Sequence, residues 1–505
     1  MTLHSTLMAG VTAMAALCLI APAQAASGAR PPIQLPKSPI SASTLVVQGI
    51  RNGTVPLPYV GAGRAAANKL VPGLNCKPGP CALPNVDAST GTTQPVDETP
   101  IAVNPLKPKQ LITGGNDYNC TSSTYRGFWT SNDGGNTWSG ACGKGYNGAS
   151  GDGDPMVGYD LNGTVFQGGI DNYASGIISV ASSTDNGKTW NSPVIASQAS
   201  GEFTDKGWME IDTNLTSPNK NNIYVSNTMF ASNNNSSIWV SHSIDGGKTF
   251  SIVQASPTAT WPNYVNQFSD LATGSDGTVY LTYLNCPVTG KTGDCGGTLS
   301  TMYFQKSTDA GATWSTQVAI GQVTLAPDSC GAFYGCLPNT YERMSDIPVV
   351  GVDASGGARN GQLYVVEYNW TGTYMQVVVT SSTDGGSTWS TPVPVAPKSD
   401  KHDQFLPWLN VDAKGNVGVT WLDRRDDANN VNYEAFATWS ANGGSSFKKN
   451  VLIASAPSDP FNDGFGSGFM GDYSGNAWTG NRLFASWTDT RNGSYSQDEV
   501  GGLKR

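Results

Sequence analysis

One short motif recurs six times along the chain and constrains the fold more than any other feature. Each copy places Ser, then Asp or Asn, then Gly at fixed spacing and ends in Trp or Phe; the copies span residues 131–138, 183–190, 243–250, 307–314, 382–389 and 440–447. Asp can accept backbone N–H bonds across a turn, Gly supplies a positive φ, and the terminal ring can pack under a sheet. The motif therefore predicts a hairpin turn with a buried aromatic foot, which is an architectural role.

The spacing of the copies predicts a repeat protein. Successive copies lie 52 to 75 residues apart, as between Asp133 and Asp185 and between Asp309 and Asp384. Four short strands with their turns fill such an interval, and radial repetition of four-stranded blades lets a long all-β chain avoid exposed edges. We therefore predict an all-β fold, a β-propeller of seven four-stranded blades, with six blades as the alternative.

The six copies resemble the Asp-box, or bacterial neuraminidase (BNR) repeat, of the sialidase superfamily, and the resemblance covers roughly residue 95 to the C-terminus. It implies a sialidase-like propeller that acts on carbohydrate. Sialidases hold the substrate carboxylate with three arginines, the first in an Arg-Ile-Pro motif on the first strand. The matching place in this chain reads Glu98-Thr99-Pro100. A carboxylate there would repel sialic acid, so the arginine triad does not match.

The chain divides into three parts. Residues 1–25 contain no Lys, Arg, Asp or Glu, are apolar from Leu7 to Pro22 and end in Ala-Gln-Ala, which predicts a secretory signal peptide. Residues 26–94 form a Pro-rich, irregular leader, in which Ser43–Gln48 is the candidate for a strand that closes the propeller. Residues 95–505 form the propeller.

Cysteine content and charge favour a secreted or periplasmic protein. Apart from Cys18 in the signal, the cysteines fall into four neighbouring pairs, predicted as disulfides: Cys76 with Cys81, Cys120 with Cys142, Cys286 with Cys295, and Cys330 with Cys336. Zinc is the rival interpretation, but only two histidines follow the signal and no Cys-x-x-Cys exists. The formal net charge of −9 argues against nucleic acid as a partner. No later segment predicts a membrane span, and we expect a monomer whose partner is a glycan or glycoconjugate.

An acidic residue opens the predicted first strand of each blade: Asp97, Asp154, Asp205, Asp270, Asp346, Asp403 and Asp472. Each can cap a loop; alternatively, several form an acidic funnel. Crowded carboxyls raise one another's pKa, as a general acid requires, or bind a cation. The candidate catalytic residues are Asp97, Glu98, Asp154, Asp205 and Asp346. No cofactor is expected, although Gly151–Pro155, with Asp152 and Asp154, could form a calcium loop.

Substrate-binding candidates are four arginines and two tryptophans: Arg343, Arg424, Arg425, Arg491, Trp208 and Trp408. The arginines either face the funnel or, as we favour, pair with surface carboxylates. The tryptophans either pack between blades or stack on sugar rings. These residues predict an exo-acting glycoside hydrolase for neutral glycans. The alternative is a non-catalytic glycan- or protein-binding propeller; a lyase for acidic polysaccharide is disfavoured because few arginines and histidines are available.

Overall fold

The computed structural model describes residues 32–56, 79–120, 124–149, 151–171, 176–198, 202–289 and 293–505. The predicted signal peptide and Cys76 lie outside these residues. Seven antiparallel sheets form a β-propeller, which confirms the predicted fold class and blade number. Within the described part of the chain, no helix is both long enough and apolar enough to cross a membrane.

Each blade runs outward from an innermost strand that borders the central axis. From the innermost strand outward, blade one contains Val96–Asp97 with Ile101–Val103, Leu111–Asp117, Arg126–Ser131 and Ser139–Cys142. Blade two contains Gly151–Tyr159, Val165–Asp171, Ile177–Ser183 and Val194–Gln198. Blade three contains Phe203–Ile211, Ile223–Phe230, Ser236–Ser243 and Ser251–Gln254. Blade four contains Tyr264–Thr273, Val279–Pro287, Leu299–Ser307 and Val318–Thr324. Blade five contains Val349–Val352, Leu363–Trp370, Met375–Ser382 and Val393–Pro394. Blade six contains Gln404–Val411, Val417–Asp423, Glu434–Ser440 and Val451–Leu452. Blade seven contains Gly475–Thr479, Arg482–Asp489 and Gln497–Lys504. Two single-turn 3₁₀ helices span Tyr146–Gly148 and Pro460–Asn462.

Strands from the leader complete blade seven. Cys81–Ala82 and Val86–Asp87 pair antiparallel with Gln497–Lys504 at the outside of this blade. The ring is therefore closed by both ends of the propeller chain, so that the last blade acquires a fourth strand although the chain offers no seventh copy of the repeated turn.

The segment predicted to be the closing strand is instead helical. Helix α1 (Ala42–Asn52) begins after Ser41 and ends at Gly53, whose φ of 76° is typical of a helix C-terminus. Every residue from Ala42 to Val47 is buried, because the helix enters the mouth of the propeller. Tertiary packing on all sides thus overrides the strand preference of Val46 and Val47, and the sequence prediction for this segment is wrong.

All six repeated turns join the third and fourth strands of a blade. In the fourth-blade copy, Gly311 N–H donates to Ser307 Oγ at 2.8 Å, while Thr313 N–H and its hydroxyl donate to the two carboxylate oxygens of Asp309. The aromatic feet are half-buried between neighbouring blades; Trp190 packs against Phe128 with ring centroids 6.4 Å apart. The architectural role is as predicted, but the feet are less buried than expected.

Three of the predicted disulfides are present. They join Cys120 to Cys142, Cys286 to Cys295, and Cys330 to Cys336. The fourth pair includes Cys76, outside the described residues, and stays a prediction.

Candidate functional site

A group of five carboxyls lies at the end of the axis where the innermost strands begin. We call this group the acidic mouth; every member is at most 1% exposed, and the members are Asp97, Glu98, Asp154, Asp205 and Asp472. Four of the five were predicted from sequence to be catalytic, and the fifth, Asp472, belongs to the predicted ring of residues that open the first strands. The structure brings them together because blades one, two, three and seven meet here.

A repeated backbone feature positions these side chains. Glu98, Asp154 and Lys206 adopt positive φ values of 56°, 51° and 48°, and the ladder to the second strand shifts register at this point in blades two and three. Such bulges turn the strand toward the axis. Left-handed conformations of residues other than Gly are strained and tend to occur at functional sites.

A short segment that precedes and enters α1 fills the acidic mouth. We call Pro39–Thr44 the N-terminal plug. Ser41 donates to Asp205 twice, through its N–H at 2.7 Å and its hydroxyl at 2.8 Å. The Ser43 hydroxyl donates to Asp154, and Ala42 N–H donates to Asp472 at 3.2 Å. The plug thus offers uncharged donors to three carboxyls from three blades.

The other side of the mouth binds the carbonyl groups of the plug. Tyr334 donates its hydroxyl to the carbonyl of Pro39 at 2.8 Å, and the amide of Gln267 donates to the same oxygen at 3.3 Å. Arg343 donates to the carbonyl of Ile40 at 3.1 Å and lies 3.5 Å from a carboxylate oxygen of Asp472. The mouth therefore carries acceptors on one side and donors on the other.

Burial and like charges raise the pKa of these carboxyls. Burial raises the pKa of Asp205 to about 7, with a further contribution from the nearby charge of Asp154. The pKa values of Asp97 and Glu98 lie well above the usual range, again chiefly because the groups are buried. Burial also raises the pKa of Asp154, but here the Lys206 ammonium opposes the rise. Asp154 and Asp205 thus lie in different electrostatic environments.

Lys206 and three aromatic rings form the floor of the mouth. The Lys206 ammonium lies 4.2 Å from the ring centroid of Tyr473 and 4.7 Å from that of Trp208. Trp208 contacts Trp408, with centroids 4.3 Å apart. Trp408 is 5% exposed, so within the described structure only the half-buried Trp208 of this pair offers appreciable surface. Cation–π contact accounts for a lysine in this position.

The seven predicted aspartates do not form one ring of equivalent residues, so this part of the prediction is wrong. Asp346 lies in blade five, where it accepts Tyr368 N–H at 3.4 Å, and among the described residues no hydrogen bond or ion pair joins it to the plug. Asp270 accepts the N–H of Val350 and Asp403 accepts that of Met375, so each joins two neighbouring blades. The residues share an acidic type but lie at different offsets from the bulge of their strand. Asp205 directly precedes Lys206, the positive-φ residue of its bulge, whereas Asp270 lies two residues after Phe268, the corresponding residue of blade four.

Of the four predicted arginines, Arg343 alone contacts the plug. Arg424 is fully buried and pairs with Asp403 at 3.2 Å. Arg425 pairs with Asp423 and Asp400, and Arg491 pairs with Asp489 and Glu499. These three fit the favoured interpretation that most of the arginines pair with carboxylates, although their partners are more buried than we expected.

Sequence reasoning missed the groups that face the carboxyls. Lys206 and Gln267 have no residue of the same type at the corresponding bulge positions of blades two and six, and Tyr334 lies outside the strands, so no periodic pattern could identify them. Ser41 and Ser43 lie in the leader, far from the mouth in sequence. A signal was present for Lys206 and Tyr473, because they directly follow Asp205 and Asp472, two members of the predicted acidic ring.

A cavity of about 330 Å³ opens at the opposite end of the axis, on the face that carries the repeated turns. Its walls are mostly apolar strand residues, with half-buried Glu210 on one side and the Trp208–Trp408 pair at its inner end. Burial raises the pKa of Glu210 to about 8. The two tryptophans thus separate this cavity from the acidic mouth.

Among the described residues, one group of His, Cys, Asp and Glu side chains has the spacing of a metal site: Asp117, Cys120 and Cys142. The two cysteines form a disulfide, so their sulfurs are not thiolate ligands. The two carboxylate oxygens of Asp154 accept hydrogen bonds from Ser43 and from Lys206 N–H. Calcium binding at its loop stays a prediction.

No family model matches the chain, and no curated protein matches it in sequence. Among solved structures, it is similar to an ulvan lyase of polysaccharide lyase family PL25, at 13% identity over 80% of this chain and 93% of that chain, with a TM-score of 0.50. It is also similar to a Hadza microbial sialidase, at 14% identity over 69% of this chain and 65% of that chain, with a TM-score of 0.43. A third similar structure, the alpha-L-arabinofuranosidase of Fusarium graminearum, has 13% identity, covers 68% of this chain and 91% of its own, and gives a TM-score of 0.41. At such an identity the similarity to the ulvan lyase supports the propeller fold alone, and the activities named belong to those three proteins.

Proposed function

We propose that the protein is an exported glycoside hydrolase that acts on uncharged glycans at the acidic mouth. The observation that carries the proposal is the pair Asp154 and Asp205. Two hydroxyls, those of Ser41 and Ser43, bridge the two carboxyls and lie 3.2 Å from each other. This bridge keeps the nearest carboxyl oxygens within about 9.5 Å, the upper limit for carboxyl pairs that hydrolyse glycosides.

The environments of the two carboxyls suggest their roles. Asp205 has its pKa raised to about 7 and suits a general acid, which protonates the oxygen of the leaving group. Burial raises the pKa of Asp154 too, but the Lys206 ammonium opposes this rise by favouring the charged form, so Asp154 is the better suited of the two to act as base or nucleophile. Because each carboxyl is close to the other, their pKa values stay apart even when a ligand replaces the plug.

Other observations support the proposal more generally. The similar solved structures include a sialidase, an arabinofuranosidase and a polysaccharide lyase. Three disulfides are in keeping with an oxidising compartment. Glu98, in place of the first arginine of a sialidase, favours uncharged sugars over sialic acid.

The test is a panel of uncharged aryl glycosides and an aryl sialoside, incubated for long periods with the full chain. We expect slow turnover of an uncharged glycoside that falls at least about a hundredfold in Asp154→Asn and in Asp205→Asn. Asp276→Asn, which removes an exposed carboxylate, is the matched control. Equal turnover in all four proteins, or a preference for the sialoside, would overturn the assignment.

One observation favours the alternative, a non-catalytic propeller. The acidic mouth already binds a segment of its own chain through hydrogen bonds to three of its carboxyls, so these carboxyls can serve as an anchor alone. In that case no glycoside is hydrolysed by any of the proteins, and a glycan array then separates a glycan-binding propeller from one that binds only protein.

A further inference from the structure

We propose that the N-terminal plug occupies the place of a ligand and keeps the acidic mouth closed, and that the ligand it replaces is an uncharged, hydroxyl-rich group such as a neutral sugar ring. The inference about the ligand rests on the proposed function. The inference about closure rests on contacts alone.

The plug has the chemistry of such a ligand. It presents two hydroxyls and two backbone N–H groups to carboxyls, and two carbonyls to Tyr334, Gln267 and Arg343. No side chain from Pro39 to Thr44 carries a charge. A sugar ring offers the same combination, since each hydroxyl can both donate and accept.

The plug excludes other molecules completely. Ser41, Ala42, Ser43 and Thr44 are all 0% exposed, and so are Asp154 and Asp205 beneath them. A solute therefore reaches these carboxyls only after the plug has left. The apparent affinity for an outside ligand is then expected to equal the intrinsic affinity of the open mouth multiplied by the fraction of time that the mouth is open.

The plug is not part of the propeller framework. No residue from 32 to 56 belongs to a strand, and the closing strands of blade seven begin only at Cys81. The segment is instead held like a bound helix: Val46 and Val47 pack with Tyr118 and Phe465, and Arg51 donates to the carbonyl of Gly151 at 2.8 Å. Its departure would leave all seven blades intact.

Several buried groups of the mouth are not satisfied by the plug. The Lys206 ammonium, 1% exposed, has no hydrogen-bond partner among the described residues, and neither does one carboxyl oxygen of each of Asp97, Glu98 and Asp472. Buried polar groups without partners are rare in folded proteins. A ligand with more hydroxyls than the plug would supply these partners, which again indicates a polyhydroxylated molecule.

The decisive variant is Ser43→Glu in the full chain. A carboxylate facing Asp154 replaces a donor by a like charge, whereas Asn52→Asp adds the same charge at the exposed end of α1 and serves as the control. We expect hydrogen exchange of the Ser41 and Ala42 amides to accelerate by at least about tenfold in Ser43→Glu and to stay unchanged in Asn52→Asp. Affinity for an uncharged aryl glycoside should rise by a similar factor, without a rise for the sialoside. Near-ultraviolet circular dichroism checks that Ser43→Glu folds. If it does not fold, Ser43→Ala, which removes the donor without adding charge, is measured in its place.

The outcomes separate the two proposals. Exchange and glycoside affinity that match the control in both Ser43 variants would overturn the closure. Faster exchange without any binding or turnover of an uncharged glycoside would leave the closure standing and overturn the proposed function. A gain in affinity for the sialoside instead would overturn the ligand class.

Discussion

At the scale of single residues, Lys206 has an unusual environment for a lysine. Its ammonium is buried among the carboxyls of Asp154, Glu98, Asp270 and Asp472, and it lies over two aromatic rings. Burial lowers its pKa, and the nearby carboxyls, Asp154 first, oppose that change. One buried cation thus offsets part of the negative charge of the acidic mouth, so removal of its charge should be costly.

We predict that Lys206→Met lowers the free energy of unfolding by about 2–4 kcal/mol at pH 8. The loss should be smaller at pH 5, because more of the surrounding carboxyls are then protonated and need no counter-charge. Urea unfolding at both pH values measures the difference, with Lys248→Met, at an exposed lysine, as the control. A loss that is the same at both pH values would mean that packing, not charge, explains the effect.

At the scale of elements, comparison of the six repeated turns shows whether the charge of their carboxylate is needed. Five copies carry Asp, whereas the sixth carries Asn442, which still accepts from the Ser440 hydroxyl at 2.8 Å and from Ser446 N–H at 3.1 Å. The hydrogen-bond pattern therefore needs an acceptor at this position but not a charge. In the charged copies, hydrogen bonds led by that of the Thr313 hydroxyl lower the pKa of Asp309 to about 2.

We predict that Asp309→Asn leaves the thermal midpoint at pH 7 nearly unchanged, whereas Asp309→Ala lowers it by several degrees. Asn retains the acceptor for Thr313 N–H, but Ala removes the side-chain acceptor, and the hydrogen bonds from Thr313 and Ser307 across the turn are lost. Thermal melts of both variants measure the difference. Similar midpoints for the two variants would show that the side chain of Asp309 does not stabilise the turn.

The elements also show where sequence-based prediction worked and where it could not. The repeated turns follow from a local pattern of Asp and Gly, and the structure has a turn at each of the six predicted places. Ser43–Gln48 has equally clear β-branched residues, yet it forms a helix because it is buried in the mouth by distant blades. Asp154 and Asp205 could be predicted because they belong to the repeat. Their partners Ser41 and Ser43 could not, since only the closed ring brings the leader over the axis.

At the scale of the whole molecule, two sets of carboxyls titrate with opposite effects on stability. The turn aspartates, such as Asp133 and Asp245, have pKa values lowered to about 2, so their contribution is lost as the pH falls from about 4 to 2. Buried carboxyls behave in the opposite way. Burial raises the pKa of Asp270 to about 7 and that of Asp346 to about 8.

For the buried set, the native state binds more protons than the unfolded state between about pH 4 and pH 8. The free energy of unfolding therefore falls as the pH rises through this range. Since the turn aspartates weaken the fold at still lower pH, we predict that stability is greatest near pH 4 to 5 and declines toward pH 8. Urea unfolding across this range measures the curve.

Asp346→Asn tests the cause of that decline. One carboxyl oxygen of Asp346 has no hydrogen-bond partner among the described residues, and its charge also raises the pKa of buried Glu367. An amide of the same shape cannot ionise, so we expect the fall in unfolding free energy between pH 5 and pH 8 to be smaller by about 1–3 kcal/mol. The exposed Asp276→Asn should leave the slope unchanged. If the slope of Asp346→Asn equals that of the unaltered protein, the decline does not come from this carboxyl.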